Sequence, residues 1–255
     1  MKVLLPSYNY AEGVSRSLKS INGNLEVLIS DNSDDNQIQK ISTKYNNVKY
    51  FFNKGRGPVI NWNNLINNSI DETVLLLHDD EYLTSEEFKI IKKINFESNK
   101  VYLFNYKVIK DKYIINRSIN NKFRGFLLNH FPKSILFINF IGPTAAYTFF
   151  NNGKNLYDEK LLWHVDLDFF YRIIKNKQII FKDITVYSIL KRNSLTNKII
   201  NKNKIYYTLK ETFFLRKKYN LTYFDFIFYF MLAAIIRIIN KIYSSFIKKK
   251  CDIKY

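Results

Sequence analysis

Two aspartates, Asp79 and Asp80, stand side by side directly after an apolar run at residues 73–77. Adjacent carboxylates at a rigid strand end can hold a hard divalent cation, Mg2+ or Mn2+, that bridges phosphate oxygens. Taken alone, such a pair reads more readily as a solvated acidic turn. Two other apolar runs end in the same way. Residues 2–5 run into Pro6, Ser7, Tyr8 and Asn9, and residues 25–30 run into Asp31, Asn32 and Ser33. Arg56 lies in a loop at 55–58 and brings a positive charge. An aromatic and polar platform, a carboxylate able to meet a base edge and a carboxylate for a phosphate-bound metal together make a nucleotide site. It is built without a G-x-G-x-x-G or Walker sequence, neither of which occurs.

The positioning elements follow from periodicity. The spacing predicts strands at 2–5, 25–30, 48–52 and 73–77, with helices at 11–21, 36–45 and 59–69 between them. Alternation of this kind with short connections implies a parallel sheet with helices on both faces. Functional residues in such sheets collect beyond the carboxyl ends of the strands. Further on, residues 101–108 and 113–118 pair as a hairpin, 164–176 form a helix and 178–187 a strand. Helices follow at 204–219 and from 223 to 243.

The chain has 255 residues and a net charge of +18, from 40 basic and 22 acidic groups. Hydrophobic residues make up 47%, which excludes a disordered chain. The single cysteine, Cys251, excludes an internal disulfide and a Cys-rich zinc module. A charge of +18 invites a nucleic-acid partner. Its distribution argues against one. Residues 1–100 carry net −1, residues 101–197 carry +9 and residues 198–255 carry +10. The longest uninterrupted apolar stretch, 226–236, is too short to span a bilayer. With Arg237, Asn240, Lys241, Ser244 and Lys248 on one stripe, the last helix suits either an anionic membrane interface or packing against a core or a second copy.

Four blocks carry a resemblance: Pro6-Ser7-Tyr8-Asn9; Glu26 to Ser33; Asn61-Trp62-Asn63-Asn64; and Leu76-Leu77-His78-Asp79-Asp80-Glu81. In order and spacing they resemble the successive blocks of family 2 inverting glycosyltransferases with the A-type (GT-A) nucleotide-sugar fold. The resemblance is strong over residues 1–90 and thinner to about 196. It implies an α/β fold with a doubly wound, mixed, mostly parallel sheet, helices on both faces and C-terminal amphipathic helices. Residues 1–100 would be the nucleotide-sugar half of a domain and 101–200 its acceptor and catalytic half. Residues 201–255 would form a membrane-associating helical segment.

The resemblance also implies site residues. Asp31 contacts the base, with Pro6, Ser7 and Tyr8 as the lip of the base and ribose pocket. Arg56 contacts the nucleotide, Asp79 lies near the ribose or sugar, and Asp80 binds Mn2+ or Mg2+. His78 departs from the family, where many members have an acid. The block from Trp163 to Arg172 aligns Asp166 with the catalytic base and Asp168 with a supporting acid near Arg172 on the acceptor-binding side, although Val165 replaces a common Glu. Without the resemblance, both aspartates read as helix N-terminal acids. Gly142 and Pro143 look like an acceptor-side loop or a plain turn. Trp163 reads as a sugar-stacking platform or a core residue. Lys191, Arg192 or Asn193 stands where relatives carry a late His.

The implied reaction is metal-dependent transfer of a sugar, with inversion, from a nucleotide-diphosphate sugar donor. The acceptor would be a hydroxyl of a bacterial surface glycan (O-antigen or capsule) on a polyprenyl-diphosphate carrier. The enzyme would sit peripherally on the cytoplasmic, inner face of the cell membrane, at an anionic surface, with no nucleic-acid partner. A nucleotidyltransferase of sugar phosphates is the competing class. It calls for a Gly/Arg-rich loop after the first strand, where this chain has Ser7-Tyr8-Asn9.

Overall fold

Nine side chains in three adjacent strands are wholly buried: Val3, Leu4 and Leu5; Val27, Leu28 and Ile29; Val74, Leu75 and Leu76. Strands buried on both faces read as continuous apolar runs, the signature of a parallel sheet covered by helices. The computed structural model describes residues 1–255 except 22, 24, 56, 111–112, 116–119, 191–194 and 247–255. Its elements begin β1 (Lys2–Ser7), α1 (Ala11–Ile21), β2 (Glu26–Asp31), α2 (Gln37–Ser42), β3 (Val48–Phe52), α3 (Pro58–Asn67) and β4 (Glu72–Leu76). Then come β5 (Glu81–Tyr82), α4 (Ser85–Lys92), β6 (Lys100–Lys110), β7 (Tyr113–Ile115), α5 (Asn121–His130) and β8 (Tyr147–Asn151). The series ends with α6 (Val165–Ile174), β9 (Gln178–Ile189), α7 (Leu195–Lys218) and α8 (Tyr223–Phe246).

The sheet order is β3-β2-β1-β4-β8-β6-β9-β5, with β7 paired to β6. β3, β2, β1 and β4 run parallel, and β8 is antiparallel to β4. The chain steps from β1 outward to β2 and β3, then returns to place β4 on the other side of β1. Right-handed crossovers therefore put α1 and α2 on one face and α3 on the other. The packing agrees: α1 contacts α2 and α4, and α3 lies on β1 and β2. The strand order reverses at β1, and the crevice beyond its carboxyl end is the topological switch point where ligands of such sheets bind.

The chain divides into two compact units. One comprises residues 1–106, 143–157 and 176–188, and the other 107–142, 158–175 and 189–255. The first contains the parallel strands. The second is mainly helical, with α5, α6, α7 and α8 and a 3-10 turn at Pro132–Leu136. Its core includes Arg124, fully buried, whose guanidinium donates to the Ile141 carbonyl at 2.7 Å and to Asn121 Oδ1 at 3.0 Å. α8 buries Ala233 and Ile236 against this unit, and Arg237 donates to the Phe137 carbonyl at 3.1 Å. α7 is interrupted at Asn203. Among the described residues, no helix is long and apolar enough to cross a membrane.

Most predicted elements appear within a few residues of their expected bounds. β1 runs on through Pro6 to Ser7. Its ladder with β4 stops at Leu4, so the missing N–H of Pro6 interrupts no pair on that side. β2 likewise includes Asp31, which closes the strand instead of following it. The predicted hairpin is present as β6 and β7, with Val108 opposite Ile115 and Lys110 opposite Tyr113, and its expected continuation over 116–118 lies outside the described residues. α4 and α5 were not predicted, and both have side-chain caps: Thr84 accepts from the Glu87 amide, and Asn120 from the Lys122 amide.

One close approach sets the first unit. α1 lies so near the residues after β4 that a Cβ on Gly13 would stand 2.0 Å from the Asp79 carbonyl oxygen. Backbone cannot yield as a side-chain tip can, so only glycine fits. Replacing Gly13 by Ala is therefore expected to destabilise the fold by about 1–3 kcal/mol through overpacking. A urea unfolding midpoint indistinguishable from wild type would contradict this.

Candidate functional site

The turn after β4 is held from three sides within the first unit. From α1, Arg16 donates to the Asp79 carbonyl at 3.2 Å and Ser17 to the Glu81 carbonyl at 3.3 Å. From β1, the Ser7 hydroxyl donates to Asp79 Oδ2 at 3.1 Å, and the Tyr8 amide to the same oxygen at 3.3 Å. From the segment leading into β8, the Thr144 and Ala145 amides and the Thr144 hydroxyl donate to the Glu81 carboxylate at 3.0–3.2 Å. The His78 amide adds a fourth group at 3.1 Å. Glu81 is buried, and burial pushes its carboxyl up to about 7. The Asp80 charge reinforces that rise, while His78 and the amide donors oppose it.

α3 stitches the neighbouring strand ends. Asn61, buried, donates to the Ser7 carbonyl at 3.1 Å and to Asn32 Oδ1 at 3.3 Å, and it accepts from the Ser30 hydroxyl. Asn63 takes the Tyr157 amide at 2.7 Å and returns a bond to the Tyr157 carbonyl at 3.0 Å. Trp62 between them stacks on His78, with ring centroids 5.2 Å apart, and tilts against Tyr157 at 4.8 Å. The block Asn61-Trp62-Asn63-Asn64 is thus a set of braces around the strand ends.

His78, Asp80 and Glu81 each offer a ligand atom, all within 4.8 Å of one another. One imidazole with carboxylate oxygens suits Mn2+ better than Mg2+, which prefers oxygen alone. The residues fit a divalent cation, with His78 and Asp80 the better ligands because Glu81 already receives four donor groups.

The expected nucleotide contacts are not equally exposed. Pro6 and Ser7 are buried, and only Tyr8 of the proposed lip reaches the surface, where its hydroxyl donates to Asp34 Oδ2 at 3.3 Å. Asp31 is fully buried. Its Oδ1 accepts from the Ser33 amide at 2.9 Å and from the Ser33 hydroxyl, and its Oδ2 accepts from Tyr50 at 2.9 Å. Burial, with the Asp31 bond second, raises the Tyr50 phenol well above its ordinary range. Arg56, Lys191, Arg192 and Asn193 lie outside the described residues. Pro143 caps the 3-10 turn Thr144–Ala146 that carries the Glu81 donors.

In the second unit, Asp166 sits in the first turn of α6, half-buried, with Oδ1 enclosed. Asp168 is wholly buried. Arg172 donates to its Oδ2 at 2.9 and 3.1 Å, while Tyr219 at 2.7 Å and Lys218 at 2.8 Å engage its Oδ1. That carboxylate ties α6 to the end of α7. Trp163 is half-buried, and its amide donates to Glu211. Gly142, at φ 114°, is wrapped by Asn139, which bonds both its amide and its carbonyl at 2.9 Å. Sequence reasoning passed over Tyr50, Glu81 as a strut, and Glu211. Glu211 left one trace, as the only acid among the basic residues of 195–218.

The family model for glycosyl transferase family 2 matches residues 2–153. An uncharacterised glycosyltransferase of Rickettsia felis is 25% identical over 169 residues, covering 63% of this chain. A second, from Rickettsia conorii, is 26% identical over the same length. The chain spans 28% of the length of either relative. Among solved structures, Staphylococcus aureus TarS (residues 1–349) in complex with UDP-GlcNAc superposes with a TM-score of 0.58 at 19% identity, covering 76% of this chain and 60% of that one. A longer TarS structure covers 88% of this chain and 45% of its own, with a TM-score of 0.56 at 17% identity. The structural likeness speaks for the fold, and the match over residues 2–153, which includes every strand end described above, places this chain in glycosyl transferase family 2.

Proposed function

We propose that this protein transfers a sugar from a nucleoside-diphosphate sugar to an acceptor hydroxyl, inverting the anomeric centre. The observation that carries this reading is the cluster at the switch point of the sheet. Ser7 and Tyr8 are joined to Asp79, and His78, Asp80 and Glu81 converge within 4.8 Å. Family membership supports the same reaction class. UDP is the first nucleotide to test, because TarS was solved with UDP-GlcNAc.

In this reading Asp79, fixed by Ser7 and the Tyr8 amide, faces the ribose or sugar, with Tyr8 at the surface beside the base. Asp31 and, outside the described residues, Arg56 complete the nucleotide contacts. Since both Asp31 oxygens already have partners, its role is to hold the pocket wall and accept at most one further bond. His78 and Asp80 would hold Mn2+ or Mg2+, and a bound cation would supply charge that stabilises the departing diphosphate. Asp166 accepts the proton of the acceptor hydroxyl as its oxygen bonds the anomeric carbon. The bond to the diphosphate oxygen breaks, and its electron pair leaves with the nucleotide. Pro143, Gly142 and Trp163 belong to the acceptor side.

The acceptor in this reading is a polyprenyl-diphosphate-linked glycan at the inner face of the cell membrane. What supports it is the outward face of α8. Tyr223, Phe224, Ile227, Met231, Ile235 and Ile238 are each more than half exposed. Arg216 lies 3.7 Å from the Tyr223 ring centroid, a cation beside an apolar stripe. Because α8 also buries Ala233 and Ile236, the test should alter the outer face and leave the helix in place.

Three outcomes are expected. Asp166→Asn should lower kcat by roughly 10²–10⁴-fold with little change in donor KM, and undiminished turnover would remove Asp166 as the base. Saturating Mn2+ with UDP should raise the melting temperature by roughly 5 °C. Asp80→Ala should abolish that shift and His78→Ala weaken it, whereas an unchanged shift in both variants places the cation elsewhere. In cosedimentation with anionic phospholipid vesicles, the triple change Phe224→Ser, Ile227→Ser and Met231→Ser should reduce binding by about tenfold or more. Equal partitioning of variant and wild type would sink the membrane face.

A further inference from the structure

The entrance to α6 is built around a carboxylate from a distant part of the chain. Glu211, on α7, is 4% exposed. Three consecutive backbone amides donate to it: Leu162 at 2.9 Å, Trp163 at 2.9 Å and His164 at 2.8 Å. Three amides converging on one anion form the kind of site that helix N-termini and backbone nests offer to phosphate or carboxylate ligands. Here the chain supplies the ligand itself. His164 Nδ1 stands 3.8 Å from the same carboxylate, but the imidazole is buried beside Arg237, and its pKa falls to about 4. The imidazole is neutral at physiological pH, so the amides are what hold Glu211.

The consequence falls on Asp166. The His164 carbonyl accepts the Asp168 amide at 3.0 Å, so the residues gripped by Glu211 run directly into the first turn of α6. On the other side of Asp166, the Asp168 carboxylate is gripped by Lys218 and Tyr219. Glu211, Leu215 and Lys218 are spaced four and three residues apart, which puts them on one face of α7. Leu215 between them is buried. One helix face therefore holds α6 immediately before and immediately after Asp166.

We propose that Glu211 is a positioning residue for Asp166, fixing the aim of that carboxylate by anchoring the amides of Leu162, Trp163 and His164. The proposal rests on Asp166 being the base. Glu211 touches neither donor nor acceptor in this account. A displacement of about 1 Å in a reacting group can cost about 10²-fold in rate while leaving substrate binding intact.

The test is a double-mutant cycle on the full chain, read in steady-state transfer kinetics and in UDP titration. Glu211→Ala should lower kcat by about 30-fold or more, with donor KM and UDP affinity within about twofold of wild type. Glu211→Gln, which keeps the volume and one acceptor oxygen, should fall between the two and guards against a folding defect in the Ala variant. In an Asp166→Asn background, Glu211→Ala should cost less than about twofold more, because a residue that acts through Asp166 has nothing left to position. Unchanged kcat in both Glu211 variants, or a full multiplicative loss in the Asp166→Asn background, would overturn the proposal. Full activity of Asp166→Asn alone would instead overturn the base, a separate result.

Discussion

The first unit turns on one buried carboxylate. Glu81 receives amides from both sides of the sheet's change of direction: His78 at the end of the parallel strand β4, and Thr144 and Ala145 ahead of the antiparallel β8. Removing an ionised carboxylate from water costs several kcal/mol unless donors replace the water, and four groups replace it here. Burial still outweighs those donors and holds the carboxyl well above its usual range, at about 7. With that link in place, the turn carrying Asp79 and Asp80 has a fixed height above the sheet. Gly13 and Arg16 can then press α1 against it.

Acids join several elements of this molecule. Asp31 closes β2 onto Ser33 and Tyr50, Asp79 crosses to β1, Asp168 joins α6 to the end of α7, and Glu211 seats the entrance to α6. A chain of charge +18 has cations to spare, yet several of these carboxylates are met chiefly by amides and hydroxyls. Neutral donors hold a carboxylate in a fixed direction without needing long side chains to be ordered.

The parallel strands and their helices were legible because each buried strand is a continuous apolar run and each helix has a clear stripe. Val14, Leu18 and Ile21 are the plain case, all buried as their spacing required. The strand-end residues were legible for the same reason, since a polar cluster after a buried run has few other places to go. α4 was missed although Thr84 and Glu87 stand at the spacing of a capping box. What the sequence could not display is which partner each acid takes. Glu81 and Asp80 are adjacent and chemically alike, and only the return of residues 144–145 to the β4 end makes one a strut. Glu211 and residues 162–164 lie 47–49 positions apart, with no local pattern linking them. Pro6 and Asp31 read as loop residues because the apolar run was taken as the whole strand, whereas pairing with β2 and β3 carries each strand further.

The shared face of α7 also acts as a ruler. Each residue added to a helix turns everything beyond it by about 100° and advances it by about 1.5 Å. A single insertion or deletion between Glu211 and Lys218 would leave one end seated and swing the other out of reach. Surface loops tolerate changes of length readily. This stretch, distant in sequence from the strand ends and beyond the residues matched by the family model, should instead be fixed in length among close relatives even where its side chains vary.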